Sequence, residues 1–347
     1  MPLTVDVIVI GAGLAGLSAA GVLCDAGVSF AVVERSPTLG GRAVHATLRV
    51  GEIATPVDIG AQFFTVSDPR LETQVRRWRD EGVVSSWDGD FGRYGPAGFE
   101  RRQSLHPRYV CPGGMGGLAA SLVQGLPSTS LILGREALAL LPSESGVKVA
   151  LLSDGLELSA RVIILAIPAP EALALTDALP ASPLHAALAD VRFDPCWAVA
   201  YPTANRPRLP WVGVEVTDPA IAWAALDDTR RQAGPPVLVL TARADWTRAR
   251  RTRPASEALA ELSEAARTLF GRWAAPSGPG LAVLWPNARP AVLHPDAYAA
   301  SDGIIACGDW CQSEAHSVTQ TVSTRGPRVE TAILSGWAAA NLALRSL

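Results

Sequence analysis

The feature that most constrains this chain lies at its start. VDVIVIG reads as a continuous buried strand, LAGLSAAGVLCDAG as a helix with small residues on its packing face that ends at Gly27, and FAVVER as a second buried strand. Strand, helix and strand within about thirty residues make a βαβ unit, the opening of a doubly wound sheet. Further apolar strands are predicted in RVIILAIP at 161–168 and IIACGD at 304–309. The sheet must therefore be assembled from distant segments. The expected organisation is an α/β Rossmann-like domain of residues 1–75, 125–170 and 300–347, with a mixed-sheet (α+β) substrate domain inserted as 76–124 and 171–299.

The turn inside the first unit, Gly11-Ala12-Gly13-Leu14-Ala15-Gly16, is a G-x-G-x-x-G, a weak pattern alone that gains weight from the strand before it and the helix after it. Gly11 permits the tight turn, Gly13 lets backbone approach a pyrophosphate, and Gly16 lets helix and strand pack closely. The helix start offers free N–H groups and a positive dipole end to phosphates. Glu34, at the end of the second strand, can accept hydrogen bonds from ribose hydroxyls. These residues specify an adenine dinucleotide without choosing between NAD and FAD. Arg35 follows Glu34, and Gly40-Gly41-Arg42 comes soon after, where a guanidinium can make a bidentate, charge-assisted phosphate contact.

Between about 170 and 300 the composition shifts, with seven of the ten tryptophans falling from Trp197 to Trp310 among many Pro and Arg residues. WAVAYP and VLVLTARADW are predicted strands, SEALAELSEAARTLFGRW a helix, and GPRVETAILSGWAAANLAL a closing helix with Val329, Ala332, Ile333, Gly336 and Ala340 on one face. The Pro/Gly-rich stretches 92–98 and 274–280 are predicted loops.

With 48% apolar residues the chain can build a real core, and a net charge of -3 provides no field for nucleic acid or an anionic membrane, which favours a small-molecule ligand. The first residues lack a charged leader and glycine soon breaks their apolar run, so a cytoplasmic protein is expected, as monomer or homodimer. Five scattered cysteines, Cys24, Cys111, Cys196, Cys307 and Cys311, read as reduced thiols rather than a disulfide scaffold, and no metal set is completed. Lys148 is the only lysine.

The GGR segment beyond Glu34 resembles the second fingerprint of glutathione-reductase-type and amine-oxidase-type FAD proteins, which shifts the choice to FAD and places Arg42 on the flavin-side phosphates. Six further segments narrow the likeness: DIGAQFFTVSDPRL at 58–71, PGGMGGLAASL at 112–122, ILAIPAP at 164–170, DPCWAVAY at 194–201, and CGDWC at 307–311 with GPRVETAILSG at 326–336. Together they are similar to the renalase-like flavoproteins, over residues 5 to 345. The resemblance implies that Gly60, Ala61, Gln62 and Phe63 run along the isoalloxazine ring, that Glu136 contacts the adenine side through its backbone, and that Gly308 and Asp309 hold the ribityl or phosphate region. It also sets Val329 and Glu330 at a helix start facing the flavin's pyrimidine edge.

Renalase-like enzymes are implied to oxidise the isomeric 2- and 6-dihydro forms of NAD(P), with molecular oxygen as acceptor. Amine oxidases of the related class place a lysine next to flavin N5, and Lys148, in a predicted hairpin strand beside the adenine end, is not expected there. Dissociable FAD is expected. Hydride transfer needs alignment and exclusion of water rather than a catalytic triad. Phe63, Phe64, Trp197, Trp223, Trp285 and Trp310 are the candidates for walls against a flat nicotinamide ring, while His294 and His316 are expected to be solvated or structural rather than catalytic. Two departures from the family stand out: a longer link at 312–325, and Asn287 where an aromatic would be expected. Amine oxidation, a desaturase-like reaction and a non-catalytic flavin-binding redox module remain open alternatives.

Overall fold

The structure, a computed structural model, describes residues 3–141, 148–204, 207–231, 234–312 and 329–347. Gly326 and Pro327, His316 and most of the 312–325 link lie outside the described residues.

The first lobe is an eight-stranded sheet in which Leu3–Ile10 pairs in parallel with Glu157–Leu165 on one side and Phe30–Glu34 on the other. Val7, Ile8 and Val9 are fully buried because helices cover both faces, which explains the unbroken apolar run. The helix Leu14–Asp25 lies on one face with the helices Gly117–Val123 and Val329–Ser346. The helices Ala169–Leu175 and Pro183–Asp190 cover the other. Gly336 lets the last helix lie against the first, since a Cβ there would collide with the Ala15 carbonyl. The long Glu157–Leu165 strand branches, taking Lys148–Leu152 antiparallel along its first half and Ile304–Ala306 parallel along its second.

The second lobe is a seven-stranded sheet ordered Leu281–Val292, Arg192–Pro202, Val237–Ala242, Ile221–Leu226, Gly213–Val216, Phe91–Gly95 and Gly98–Arg101. The strand Arg192–Pro202, next to the Leu281–Val292 edge, alternates strictly. Trp197, Val199 and Tyr201 pack with Ala258, Leu262 and Ala266 of the helix Ala255–Phe270. Ala198 and Ala200 face the opposite way, onto Leu48 and Val57 of the hairpin Ala46–Val50 and Ile53–Val57. A hairpin of the first chain segment thus seals the second lobe.

The structure departs from the expected elements in three places. Residues 92–98 are not a loop: Phe91–Gly95 and Gly98–Arg101 form an edge hairpin. A Cβ at Gly92 would strike the Glu100 carbonyl, so the glycine there serves close strand approach. VLVLTARADW stops being strand at Ala242 and turns into the short helix Ala244–Arg248. Within 76–124, Trp78, Val84, Cys111, Met115, Leu118 and Ala119 join the buried cluster of the first lobe, while Phe91 belongs to the second sheet.

Candidate functional site

A cavity of about 1540 Å³ lies between the lobes, larger than the roughly 300–1,000 Å³ of ordinary small-molecule sites. It opens at the carboxyl ends of the parallel strands, where Ile10, Val33 and Ala166 line it, the place where doubly wound sheets bind ligands.

At this end the chain builds a cradle. Gly11 turns with φ of 102° while its N–H donates to Val33 O at 2.8 Å. The helix that follows starts at Gly13 with no side-chain cap and no acidic residue in its first turn, so its leading N–H groups and dipole face the cavity through Gly13, Leu14 and Ala15. A Cβ on Gly13 would meet nothing within 4 Å, whereas one on Gly16 would collide with the Gly11 carbonyl. The second glycine turn docks on the first: Gly40 N–H donates to Ala12 O at 2.9 Å, and the site for a Gly41 Cβ lies 3.3 Å from Gly13 Cα. Glu34 is held by the N–H groups of Ala12 and Ser36, both at 2.8 Å, and keeps its carboxylate on the cavity wall. An uncapped helix start beside an oriented carboxylate fits the phosphates and ribose of a dinucleotide.

Further along, Arg42 reaches the wall from below Gly60, whose neighbour Ala61 donates its N–H to Arg42 O at 2.8 Å. Its guanidinium is shared by Asp309, at 3.0 and 2.7 Å, and Ala288 O, at 3.1 Å. Gly60, Ala61, Phe63, Phe64, Glu136, Gly308, Asp309 and Val329 all line the cavity, and Arg35 does so while paired with Glu171 at 3.1 Å. Trp285 lines it too, fixed by its Nε1–H on Ile59 O at 2.9 Å. Asn287, the departure noted above, donates to Glu171 at 3.0 Å.

Other candidates turn elsewhere. Gln62 points away from the cavity: it donates to Asp58 O and accepts from Arg230, so a buried charge cluster claims its amide. The Glu330 carboxylate is fully buried and accepts from Ser67 N–H at 2.6 Å and Asp68 N–H at 2.8 Å, capping the turn before the helix Pro69–Asp80. Trp197 donates to Arg250 O and Trp310 to Ile167 O, both inside cores, and Trp223 stacks on Phe91 behind the wall. These three tryptophans are packing residues. His294 bonds Tyr298 O at 3.2 Å. Lys148 sits on its hairpin strand away from the cavity lining. Burial pushes the thiols of Cys111 and Cys307 up to about 12 and that of Cys196 up to about 11.

Two features escaped sequence reasoning. One is the buried cluster in which Arg230 bridges Asp58 at 2.9 Å and Asp227 at 3.1 Å, with Arg231 also on Asp227 and the Arg230 guanidinium 4.5 Å from the Trp87 ring centre. The charge run DDTRR at 227–231 was its only signal, and such runs are ordinarily solvated. The other is Arg108, which sits over the rings of Phe91 at 4.0 Å and Phe63 at 5.3 Å on the cavity wall.

Residues 84–344 match the family Flavin containing amine oxidoreductase, and residues 9–78 match the NAD(P)-binding Rossmann-like domain. The chain belongs to the flavin containing amine oxidoreductase family. As a member of this family it is an FAD-dependent oxidoreductase, which agrees with the cradle just described. The fold is similar to that of cyclohexylamine oxidase from Brevibacterium oxydans IH-35A, with a TM-score of 0.73 at 14% identity over 98% of this chain and 99% of that one. It is also similar to an A394C variant of putrescine oxidase, with a TM-score of 0.69 at 14% identity over 99% of this chain and 100% of that one. Among the described residues no helix is long and apolar enough to cross a membrane.

Proposed function

We propose that this flavin amine oxidoreductase relative is an oxidase that takes a hydride from a small dihydropyridine-like donor, of the isomeric 2- or 6-dihydro-NAD(P) kind, with molecular oxygen accepting the electrons as hydrogen peroxide. The observation that carries the reading is the makeup of the substrate end of the cavity. Phe63, Phe64 and Trp285 supply flat walls there, and the chain's one lysine is not among the lining residues. FAD, when bound, supplies the two-electron acceptor for the hydride.

The chain's own residues do the rest. Gly13, Leu14 and Ala15 would bind the pyrophosphate through backbone N–H groups, Glu34 would accept from the adenosine ribose, and Arg42, steadied by Asp309, would meet the flavin-side phosphates. Gly60, Ala61 and the start of the last helix at Val329 would border the ring, Glu136 would reach the adenine side, and FAD held only by such contacts would dissociate on denaturation. The aromatic walls orient the donor ring and exclude water, which is where positioning contributes most to rate.

Oxidation of an amine is the second reading, favoured by the family match itself. Anaerobic mixing of the purified holoprotein with isomeric dihydro-NAD(P) and with a panel of primary amines separates the two. Rapid bleaching of the flavin by the dihydropyridines alone is expected, and bleaching by amines alone would sink the proposal.

A further inference from the structure

The substrate end of the cavity carries an unusual charge balance. Its carboxylates already have arginine partners: Asp194 and Asp245 share Arg248, and Glu215 is flanked by Arg102 at 3.7 Å and Arg93 at 3.9 Å. Arg243 is spent on the Val216 and Asp218 carbonyls. Arg108 has no such satisfaction. Among the described residues no carboxylate lies within 4 Å of it, and its buried Nε–H has no acceptor. Its position is nevertheless fixed, by the Phe91 and Phe63 rings beneath it and by its backbone carbonyl, which accepts from Trp87 N–H at 2.8 Å. Glu215 acts on Arg108 from a distance, but burial outweighs it and pushes the guanidinium below its ordinary range. A half-buried cation held rigidly without a counter-ion is costly to the folded chain, and an oxyanion of a ligand would offset that cost.

We propose that Arg108 is a specificity-determining residue that binds a carboxylate or phosphate oxyanion of the donor, so that this enzyme selects acidic substrates and discriminates against simple amines. The proposal rests on the reading of this cavity end as the substrate chamber. A planar guanidinium matches a two-oxygen acceptor, and the flanking Phe63 would set the distance between that anchor and the donor's reacting ring. A protonated amine brought to the same place would meet like charge.

The test uses the oxidised holoenzyme and ligands that cannot reduce it, so it is independent of turnover. Benzoate, inorganic pyrophosphate and the neutral benzamide are titrated while flavin absorbance is followed. At least one anion is expected to bind ten-fold or more tighter than benzamide. Arg108→Gln should erase that preference while leaving benzamide within about two-fold of wild type, and Arg108→Lys, which keeps the charge but loses the fork, should fall between. Preference for benzoate would identify a carboxylate-bearing donor and preference for pyrophosphate a phosphate-bearing one. Equal binding of anions and benzamide by the wild type overturns the proposal, as does an Arg108→Gln or Arg108→Lys enzyme with undiminished anion affinity. If dihydropyridines fail to bleach the flavin while the anion preference holds, the donor assignment fails and the role of Arg108 stands.

Discussion

Asp309 accepts two hydrogen bonds from the Arg42 guanidinium, at 3.0 and 2.7 Å, and so ties the turn after Ile304–Ala306 to the second glycine turn across the cavity floor. The pair is part-exposed on the arginine side, which leaves the guanidinium able to meet a ligand while its direction is fixed.

Asp309→Ala should therefore weaken flavin binding by releasing the Arg42 guanidinium from its fixed direction. Charge-assisted bonds of this kind contribute about 1.5–3 kcal/mol, so FAD affinity should fall roughly 10- to 100-fold. Fluorescence titration of the apoprotein with FAD measures it, and unchanged affinity would remove Asp309 from the positioning of Arg42.

The two inner glycines of the first turn should respond oppositely to a side chain. Gly13→Val places its methyls in open cavity and should yield a folded protein that purifies without flavin and melts near the wild-type apoprotein. Gly16→Val drives its Cβ into the Gly11 carbonyl and should reduce soluble yield and stability, by about 3 kcal/mol or more. A yellow Gly13→Val protein would show that the pyrophosphate lies elsewhere.

Arg230→Met removes the cation closest to both the fully buried Asp58 and the nearly buried Asp227, leaving them Arg231, which pairs with Asp227 and lies 3.6 Å from Asp58. Breaking such a pair costs about 3–5 kcal/mol, readable as a lower urea midpoint. Burial already pushes Asp227 upward and the arginines oppose it, so loss of Arg230 should push it further in the same direction. A loss under about 1 kcal/mol would mean that water reaches the cluster.

Asp68 caps the helix Pro69–Asp80 by accepting from Arg70 N–H at 2.8 Å, and hydrogen bonds from the Arg70 side chain hold its carboxyl below the ordinary 3.8. A depressed carboxylate contributes stability that is complete above its unfolded value and disappears as pH falls through the folded one. Asp68→Asn should thus cost about 1 kcal/mol near pH 7 and progressively less below about pH 4. Melting temperatures of both proteins across pH 3–7 test it, and a gap that stays constant with pH would contradict the assignment.

What could be read from the residue order follows a physical division. The strand, glycine turn and helix from Leu3 to Glu34 are local, and each residue type there has one conformational reason to be present. Gly27 ends the first helix with φ of 70°, as its place after the apolar period predicts. Side-chain direction was not legible in the same way. Gln62 and Phe63 are neighbours, yet one turns into a buried ion cluster and the other onto the cavity, because Arg230, far along the chain, competes for the amide. The tryptophans divide for a related reason: Trp197 and Trp285 lie on paired strands one register step apart, so alternation sends only Trp285 to the cavity wall. Glu330 looked available at a helix start until the Ser67 and Asp68 amides claimed it.

The hairpin of residues 46–57 leaves the first lobe's chain to cover Ala198, Ala200, Val237 and Val239 of the second. Neither half can complete its interior alone, and Arg230 locks onto Asp58 immediately after that hairpin. The molecule should accordingly melt in one cooperative step rather than two, and an excised substrate lobe would expose an apolar sheet face and aggregate. Cofactor pocket and substrate chamber are in this sense a single folding unit, so variation that reshapes substrate choice is constrained by the stability of the whole.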